Sequence, residues 1–253
     1  MIKVPGERDQ VNVAKVYKAG QSHIFNFWDK LDHASRKKLL AQIDKVDFQL
    51  LGRLVRESGA DRGAKPLRAF EPAPVIRLPR TAADVEKSKK AFEAGEKALR
   101  EGRVALLMVA GGQASRLGSD RPKGETEVGP ITGKSMFQLY AEKIIALRKK
   151  YGAQLPWYIM TSEATDERTR RFFEKNSYFN MPRANTIFFK QGMLPAVDRR
   201  GKILMSAKDE IFLSPNGHGG SLPALRDSGA LERMEESGID LLFYFQVDNP
   251  LVV

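Results

Sequence analysis

The segment "VALLMVAGGQASRLGSDRPKG" (Val104–Gly124) places a short apolar run directly before a glycine-rich loop. A continuous apolar run of this length is typical of a strand that is buried on both faces of a parallel sheet. The two glycines that follow, Gly111 and Gly112, have no β-carbon, so the loop backbone can closely approach an anion or a flat base. The segment therefore predicts a strand of an α/β domain with a ligand site at its carboxyl end.

Candidate strands and helices alternate after this loop. Strands are predicted at "WYIMTS", "NTIFFKQ" and "DLLFYFQVDN", and helices at "SMFQLYAEKIIALRKKYG", near 163–176 and near 222–237. This alternation is typical of an α/β domain with a mostly parallel sheet, and such sheets bind ligands beyond the carboxyl ends of their strands. We therefore expect the glycine loop, "MTS", "KQG" and "VDN" to meet at one edge of the sheet. Within "MTS", we expect Thr161 and Ser162 only to cap the following helix.

The part of the chain before the loop is predicted to be helical. Residues 7 to about 59 carry apolar stripes at helical spacing, and Ser35 is the expected N-cap of one helix. Residues 60–80 contain four prolines and are predicted to form an extended connection.

A further helix is predicted directly after this connection. Thr81 and Asp84 have the spacing of a capping box, in which each side chain binds the other residue's backbone amide. We accordingly divide the chain into an N-terminal helical segment with its linker, residues 1–80, and an α/β domain that carries the expected ligand site, residues 81–253.

Composition excludes several classes of protein. The chain has no cysteine, which rules out a disulfide framework and a thiolate metal site. Its N-terminus lacks the apolar segment of a signal peptide, and no uncharged apolar run approaches the roughly 20 residues of a membrane helix. These features predict a cytoplasmic protein.

The net charge of +11 fits solvated helix faces, a nucleic-acid partner or small polyanionic ligands. Basic runs such as Arg168–Arg171 lie in helical patterns, which favours solvated faces. The sequence contains nothing that resembles a helix-turn-helix, zinc-finger or RNA-stacking signature. We expect neither a nucleic-acid nor a membrane partner.

The glycine loop is neither a Walker A loop nor a dinucleotide fingerprint, because it lacks the Gly-Lys-Ser/Thr and G-x-G-x-x-G patterns. Arg116 and Lys123 nevertheless place a planar guanidinium and a compact ammonium beside the glycines, and both groups bind phosphate. From these residues alone, the loop is either a phosphate- or base-binding loop or a tight turn with surface cations.

The loop resembles the L-x-x-G-G-x-G-T-R-L-G-x-x-x-P-K-G signature of the UDP-sugar pyrophosphorylase family, in particular the UDP-N-acetylglucosamine pyrophosphorylases. "GQSHIFNFWDKL", "PWYIMTS", "FFKQGMLPAVD", "SPNGHGG" and "YFQVDNPLV" resemble further blocks of that family in the same order. The resemblance implies a Rossmann-like nucleotide-diphospho-sugar transferase fold of the α/β class.

The resemblance also implies an activity, the transfer of a uridylyl group from UTP to a sugar 1-phosphate with release of pyrophosphate. N-acetylglucosamine 1-phosphate is the first expectation for the sugar, and glucose or galactose 1-phosphate is the alternative. A module that binds the nucleotide without catalysis is the remaining alternative. UTP and the sugar phosphate would be the partners, and Mg²⁺ would be the cofactor.

Individual positions take roles by this resemblance. Arg116 and Lys123 would face the phosphates as catalytic groups, and His218 would contact the sugar phosphate. Asp248 would bind the Mg²⁺ that bridges the nucleotide and sugar phosphates. The implied nucleotide-binding positions are Ala110, Gly111, Gly112, Lys123, Gln191 and Gly217.

The sequence departs from the family pattern at the loop and at the sugar side. Ala114 and Ser115 stand where the signature has glycine and threonine. Since alanine tolerates a positive φ poorly, we expect a differently shaped turn. His218 stands where the acetylglucosamine-directed members have asparagine, and "GHG" is similar to the corresponding segment of glucose-1-phosphate uridylyltransferases.

The resemblance implies that the chain corresponds to the N-terminal half of a family member, with much of the sugar pocket in the other half. The final strand, "DLLFYFQ", is apolar enough to be buried on both faces in a complete fold. In this chain alone, we expect it to expose apolar surface and an unpaired strand edge, which promotes association. We also expect uridylyl transfer by the isolated chain to be very slow or absent.

Overall fold

The computed structural model describes residues 1–58, 71–115 and 118–251 of the chain. The α-helices of these residues are α1 (Glu7–Lys18), α2 (His33–Asp44), α3 (Phe48–Ser58), α4 (Ala82–Arg100), α5 (Met136–Tyr151), α6 (Asp166–Lys175), α7 (Ser221–Asp227) and α8 (Ala230–Glu236). The strands are β1 (Val104–Val109), β2 (Trp157–Thr161), β3 (Thr186–Lys190), β4 (Met193–Pro195), β5 (Met205–Ala207), β6 (Glu210–Ile211), β7 (Leu213–Pro215) and β8 (Leu241–Gln246). Short 3₁₀ turns lie at Ser22–Phe25, Trp28–Lys30, Lys123–Glu125, Ser177–Asn180, Arg183–Asn185 and His218–Gly220.

The chain forms two units, each built from two stretches of sequence. The first combines Met1–Pro74 with Met193–Pro215, and the second combines Val75–Gly192 with Asn216–Val253. The segment between Met193 and Pro215, which the sequence placed in the α/β domain, thus packs with the N-terminal helices. The functional boundary predicted at residue 80 stays a prediction.

The first unit has its own apolar core. The core side chains contributed by the N-terminal helices and turns include Val13, Val16, Ile24, Leu39 and Ile43, all at most 1% exposed. Ile203 and Ile211 of the second stretch are buried in the same cluster. The Gln21 side chain links the stretches, because it donates to the carbonyl of Gly201 at 2.8 Å and accepts from the amide of Ile203 at 2.9 Å.

The predicted N-cap of α2 is wrong. The helix begins at His33, and the Asp32 carboxylate accepts a hydrogen bond from the Ser35 amide at 2.7 Å. Ser35 therefore lies inside the first turn, where its amide needs an acceptor, and the carboxylate of Asp32, the residue directly before the helix, supplies one.

The second unit contains a parallel sheet in the order β3-β2-β1-β8, as expected for an α/β fold. Alternate side chains of β1 point to opposite faces. Leu106 and Met108 join a core with α5 and α6, whereas Ala105 and Leu107 join a core with α7 and α8. Because both faces are covered by helices, the apolar run that opens the glycine loop is buried on both sides.

The predicted helix starts and stops of this unit are mostly confirmed. Thr81 and Asp84 form the expected capping box, with both reciprocal hydrogen bonds present. α5 begins after Ser135 and ends at Gly152, whose φ of +64° is readily available to glycine. The single helix predicted near 222–237 is instead two helices, because the chain turns at Gly229 with a φ of +72°.

β8 lies at the edge of the sheet and, within the described residues, pairs with β1 alone. The side chains of Leu241, Phe243 and Tyr244 are 42–45% exposed. An apolar pocket of about 370 Å³ lies between β8, α4 and α5. The expectation that this strand presents apolar surface and an open edge is confirmed.

No helix in the described parts of the chain has the length and apolar character needed to cross a bilayer.

Candidate functional site

Gly111 and Gln191 meet where β1 and β3 end. Gln191 directly follows β3, and its backbone amide donates to the carbonyl of Thr161, the last residue of β2, at 2.8 Å. A β-carbon at Gly111 would lie 2.6 Å from Gln191 Oε1 and 3.3 Å from the Ser162 β-carbon. The lack of a β-carbon at Gly111 therefore leaves room for the Gln191 side chain, and Gly111 is not among the described glycines with positive φ.

Ser162 makes a hydrogen bond to the same glycine, a contact that the sequence did not suggest. Its hydroxyl donates to the Gly111 carbonyl at 2.8 Å. The expectation that Thr161 and Ser162 cap a helix at Glu163 is wrong, since α6 begins at Asp166. The Ser162 hydroxyl instead joins the end of β2 to the glycine loop, as the occurrence of "MTS" at a strand end could have indicated.

The glycine loop folds back on itself without strain at its alanine. The Ala114 amide donates to the Arg121 carbonyl at 2.8 Å, and the Lys123 amide donates to the Gly112 carbonyl at 3.0 Å. Ala114 is 4% exposed and is absent from the described residues with positive φ. Ala114 therefore does not adopt the conformation that alanine tolerates poorly, and the expected difference in shape from the family's turn stays a prediction. Arg116 lies outside the described residues.

Lys123 and Asp248 form an ion pair at this edge of the sheet. Lys123 Nζ donates to Asp248 Oδ2 at 2.8 Å, and the side chains are 36% and 44% exposed. The aliphatic part of Lys123 runs 3.5 Å from the position of a β-carbon on Gly112. The hydrogen bond from Lys123 lowers the pKa of Asp248, against a smaller opposing effect of burial, and His218 lowers it further by its charge.

Tyr140 holds the segment that carries Asp248, although the sequence indicated only that it belongs to a helix. Its hydroxyl donates to the carbonyl of Asn249 at 2.5 Å and lies 3.3 Å from that of Val247. Burial, with a contribution from the Asp248 charge, raises the pKa of Tyr140 to about 12. The Val247 amide also donates to the carbonyl of Val109, so this segment is fixed to the end of β1.

Arg168 and Glu125 fix the other side of the loop. Arg168 Nε donates to both Glu125 carboxylate oxygens, at 3.0 and 3.1 Å, and the Glu125 side chain is only 7% exposed. This hydrogen bond is the main cause of a raised pKa for Arg168. Arg168 is exposed, as predicted for a solvated face, and it also ties the Lys123–Glu125 turn to α6.

Gly217 and His218 follow a tightly packed asparagine. The backbone N–H of Asn216 donates to the carbonyl of Gly192 at 3.1 Å. The Asn216 side chain fills the space that a β-carbon at Gly192 or Gly220 would need. Gly217 has a φ of +74°, which favours glycine. His218 is exposed, and its Nδ1 atom lies 2.5 Å from the hydroxyl of Tyr244.

The structure thus brings the predicted residues to the carboxyl edge of one sheet. Ala110, Gly111, Gly112 and Gln191 lie at the ends of β1 and β3, and Lys123 pairs with Asp248. Ala110 is fully buried, so it can offer a ligand only backbone atoms. The ligand roles of these residues, and those of Gly217 and His218, stay predictions.

Asp248 stands without further protein ligands for a divalent metal in the described part of the chain. The described residues contain no group of three His, Asp or Glu side chains able to hold a metal ion. Mg²⁺ in nucleotide sites commonly uses one or two carboxylates together with waters and phosphate oxygens. Asp248, already paired with a cationic group, fits that mode and does not fit a cage made of protein ligands alone.

Comparison with known proteins finds relatives that match nearly the whole chain. The family described as UTP–glucose-1-phosphate uridylyltransferase matches residues 75–253. UDP-N-acetylglucosamine diphosphorylase 2 of Arabidopsis thaliana is 35% identical over 258 residues, which cover 96% of this chain and 51% of the relative. UDP-N-acetylglucosamine pyrophosphorylase of Saccharomyces cerevisiae is 32% identical over 249 residues, which cover 92% and 51%.

A solved structure agrees with these relatives. The uridine diphosphate N-acetylglucosamine pyrophosphorylase from Trypanosoma brucei, crystallised with an inhibitor, superposes with a TM-score of 0.75 at 27% identity. The match covers 99% of this chain and 53% of that one. The chain therefore spans about half the length of the curated relatives that it matches.

Proposed function

Because the chain belongs to the UTP–glucose-1-phosphate uridylyltransferase family, we propose that it binds UTP at the glycine loop and serves uridylyl transfer to a sugar 1-phosphate. The observation that carries this proposal is the Lys123–Asp248 pair beside Gly112. A cation for phosphate and a carboxylate for a divalent metal stand side by side at the end of a parallel sheet, where such folds bind nucleotides.

In the proposed reaction, an oxygen of the sugar 1-phosphate forms a bond to the α-phosphorus of UTP. The bond from that phosphorus to the bridging oxygen of the β-phosphate breaks, and pyrophosphate leaves with the electron pair. The protein has little covalent work to do, because phosphoryl-type transfer depends mainly on alignment and charge neutralisation. Mg²⁺, when bound, would neutralise phosphate charge.

The residues of the chain would divide this work. Lys123 would exchange its bond to Asp248 for a bond to a phosphate oxygen, which frees the carboxylate for the metal. Arg116 would supply a second cation to the phosphates. Gly111 and Gln191 would hold the uracil, since the Gln191 amide group can both donate and accept hydrogen bonds.

For the sugar, we propose N-acetylglucosamine 1-phosphate, because the relatives in the comparison carry that sugar in their names. His218 in "GHG" favours glucose or galactose 1-phosphate as the second candidate, since the resemblance places histidine in that segment of glucose-directed enzymes. A nucleotide-binding role without catalysis is the third candidate.

Calorimetric titration of the full chain with UTP in the presence of Mg²⁺ tests the nucleotide site. We expect saturable binding that weakens when Mg²⁺ is replaced by EDTA. Pyrophosphate release with each sugar 1-phosphate then separates the candidates. Binding of UTP without pyrophosphate release supports the non-catalytic role, and failure to bind UTP contradicts the proposal.

A further inference from the structure

Tyr244 makes a hydrogen bond that has little structural purpose. It lies on the open edge strand β8 with 43% of its surface exposed, and its hydroxyl reaches His218 Nδ1 at 2.5 Å. The two rings are tilted by 58° with centroids 6.1 Å apart, so they do not stack. A hydrogen bond between two exposed side chains contributes little to folding, because water competes for both groups.

The backbone around His218 does little to fix the orientation of its ring. His218 is flanked by Gly217, which has a positive φ, and by Gly219, where a β-carbon would meet no atom within 4 Å. A side chain on an exposed turn between glycines has few neighbours to restrict its rotamers. The Tyr244 hydroxyl contacts the ring at Nδ1, and Tyr244 belongs to a strand that is hydrogen-bonded to β1.

We propose that Tyr244 is a positioning residue that holds His218 with its Nε2–H directed toward a phosphate or sugar oxygen. The inference rests on the proposed function of the site. A neutral imidazole has one donor and one acceptor nitrogen, and the bond made by one nitrogen sets the role of the other. When the phenol donates to Nδ1, the proton stays on Nε2, and Nε2 becomes a donor suited to the oxygen acceptors of a sugar 1-phosphate.

The location of the pair supports this ligand. Tyr244 and Asp248 lie on the same strand and its continuation, and the His218 ring is close enough to Asp248 to affect it electrostatically. His218 is therefore on the same edge as the Lys123–Asp248 pair that the proposed function assigns to the phosphates. Tyr244 itself would act through His218 and would not touch the reacting atoms.

Nitrogen-15 spectra of the histidine rings test the geometry without requiring activity. The chain has three histidines, so His23 and His33 serve as internal references. We expect the Nε2–H tautomer at His218 in the wild-type protein and a mixture of tautomers in Tyr244→Phe. Tyr151→Phe is the matched control, because it also removes a phenol hydrogen bond, to Glu96 on α4. An unchanged His218 spectrum in Tyr244→Phe overturns the inference.

Binding measurements then test the link to the ligand, with N-acetylglucosamine 1-phosphate and glucose 1-phosphate as probes and UTP as reference. We expect Tyr244→Phe to lower the affinity for the preferred sugar phosphate by about three- to ten-fold, which corresponds to one hydrogen bond, and to leave the affinity for UTP unchanged. In a His218→Asn background, Tyr244→Phe should lower this affinity by less than about two-fold, since the effects of substitutions at coupled residues are not additive.

Equal losses in both backgrounds overturn the inference, and so does a wild-type chain that binds UTP but neither sugar phosphate. In the latter case the proposed nucleotide site stands. A chain that binds no UTP contradicts the proposed function, whereas the nitrogen-15 spectra still decide whether Tyr244 sets the His218 tautomer.

Discussion

Lys123 Nζ lies 2.8 Å from Asp248 Oδ2, although the two residues are 125 positions apart in the sequence. The two groups that the proposed reaction would direct to phosphate and to metal are thus bonded to each other in the ligand-free protein. In the proposed reaction, ligand binding would separate them, so we expect each to be a sensitive position for substitution.

Lys123→Met should weaken UTP binding by about ten- to one-hundred-fold, because a charged hydrogen bond to phosphate is lost. The pKa of Asp248 should rise toward its ordinary value, since the Lys123 hydrogen bond is the main cause of its lowering. Calorimetric titration with UTP measures the first effect. Lys149→Met, at an exposed position of α5, removes the same charge elsewhere and should leave the affinity unchanged. Equal effects of the two variants would contradict a phosphate contact by Lys123.

Asp248→Asn should abolish the Mg²⁺ dependence of UTP binding. The amide nearly keeps the shape of the carboxylate but loses the negative charge that a hard cation requires. The measurement is UTP affinity with Mg²⁺ and with EDTA. Asp227→Asn is the control, because Asp227 is an exposed carboxylate paired with Arg226. If Asp248→Asn retains the wild-type difference between the two conditions, Asp248 is not a metal ligand.

Tyr140→Phe should lower the free energy of unfolding by about 1 kcal/mol, because the carbonyl of Asn249 loses its donor. The pH dependence of stability should change as well. The pKa of Tyr140 is raised to about 12, so its contribution is fully present below the ordinary pKa near 10 and is lost as the pH rises through 12. Chemical denaturation between pH 9 and 12 should show a slope up to about 1.4 kcal/mol per pH unit steeper in the wild type. Identical slopes would show that Tyr140 is not the group responsible.

Gly111→Ala should disturb the contact with Gln191, since the new β-carbon would start 2.6 Å from Oε1. We expect a loss of UTP affinity that is smaller in a Gln191→Ala background, where the clashing atom is absent. Gly95→Ala, where a β-carbon meets no atom within 4 Å, should stabilise α4 by up to about 1 kcal/mol and leave UTP binding unchanged. The same loss of affinity in both backgrounds would rule out Gln191 as the neighbour that requires glycine at 111.

Leu241→Lys should reduce self-association of the isolated chain. Lysine on an edge strand opposes pairing with another strand, and Leu241 is 45% exposed on β8. Sedimentation velocity over a range of protein concentrations measures this effect. Ile131→Lys is the control, because Ile131 is a 96% exposed apolar residue outside β8. If both variants reduce association equally, net charge rather than the strand edge is responsible.

The sequence was sufficient to predict the sheet because the apolar runs and the helices alternate along the chain. It was also sufficient to predict that Gln191 and Asp248 lie at the same edge of the sheet as the glycine loop, since parallel strands place their carboxyl ends together. The Lys123–Asp248 contact required the structure, because no local pattern relates residues so far apart in the sequence.

Other features depend on contacts that a single sequence does not reveal. Arg168 looked like part of a solvated basic run, and only its position opposite Glu125 makes it a support of the loop. Tyr140 fits the apolar stripe of α5 equally well whether or not its hydroxyl has a partner. The φ of Ala114 also required the structure, because the sequence does not show whether the position takes a positive φ.

The two-part construction of the first unit affects the order in which the chain can fold during synthesis. Ile203 and Ile211 complete the core around Ile24 and Leu39, yet they are translated long after the N-terminal helices. At about 5–20 residues per second, the ribosome needs on the order of ten seconds to reach them. The N-terminal helices therefore emerge first but must wait with an incomplete core until β1, β2 and β3 have been made. During that interval we expect the helices to expose the apolar side chains that Ile203 and Ile211 later cover.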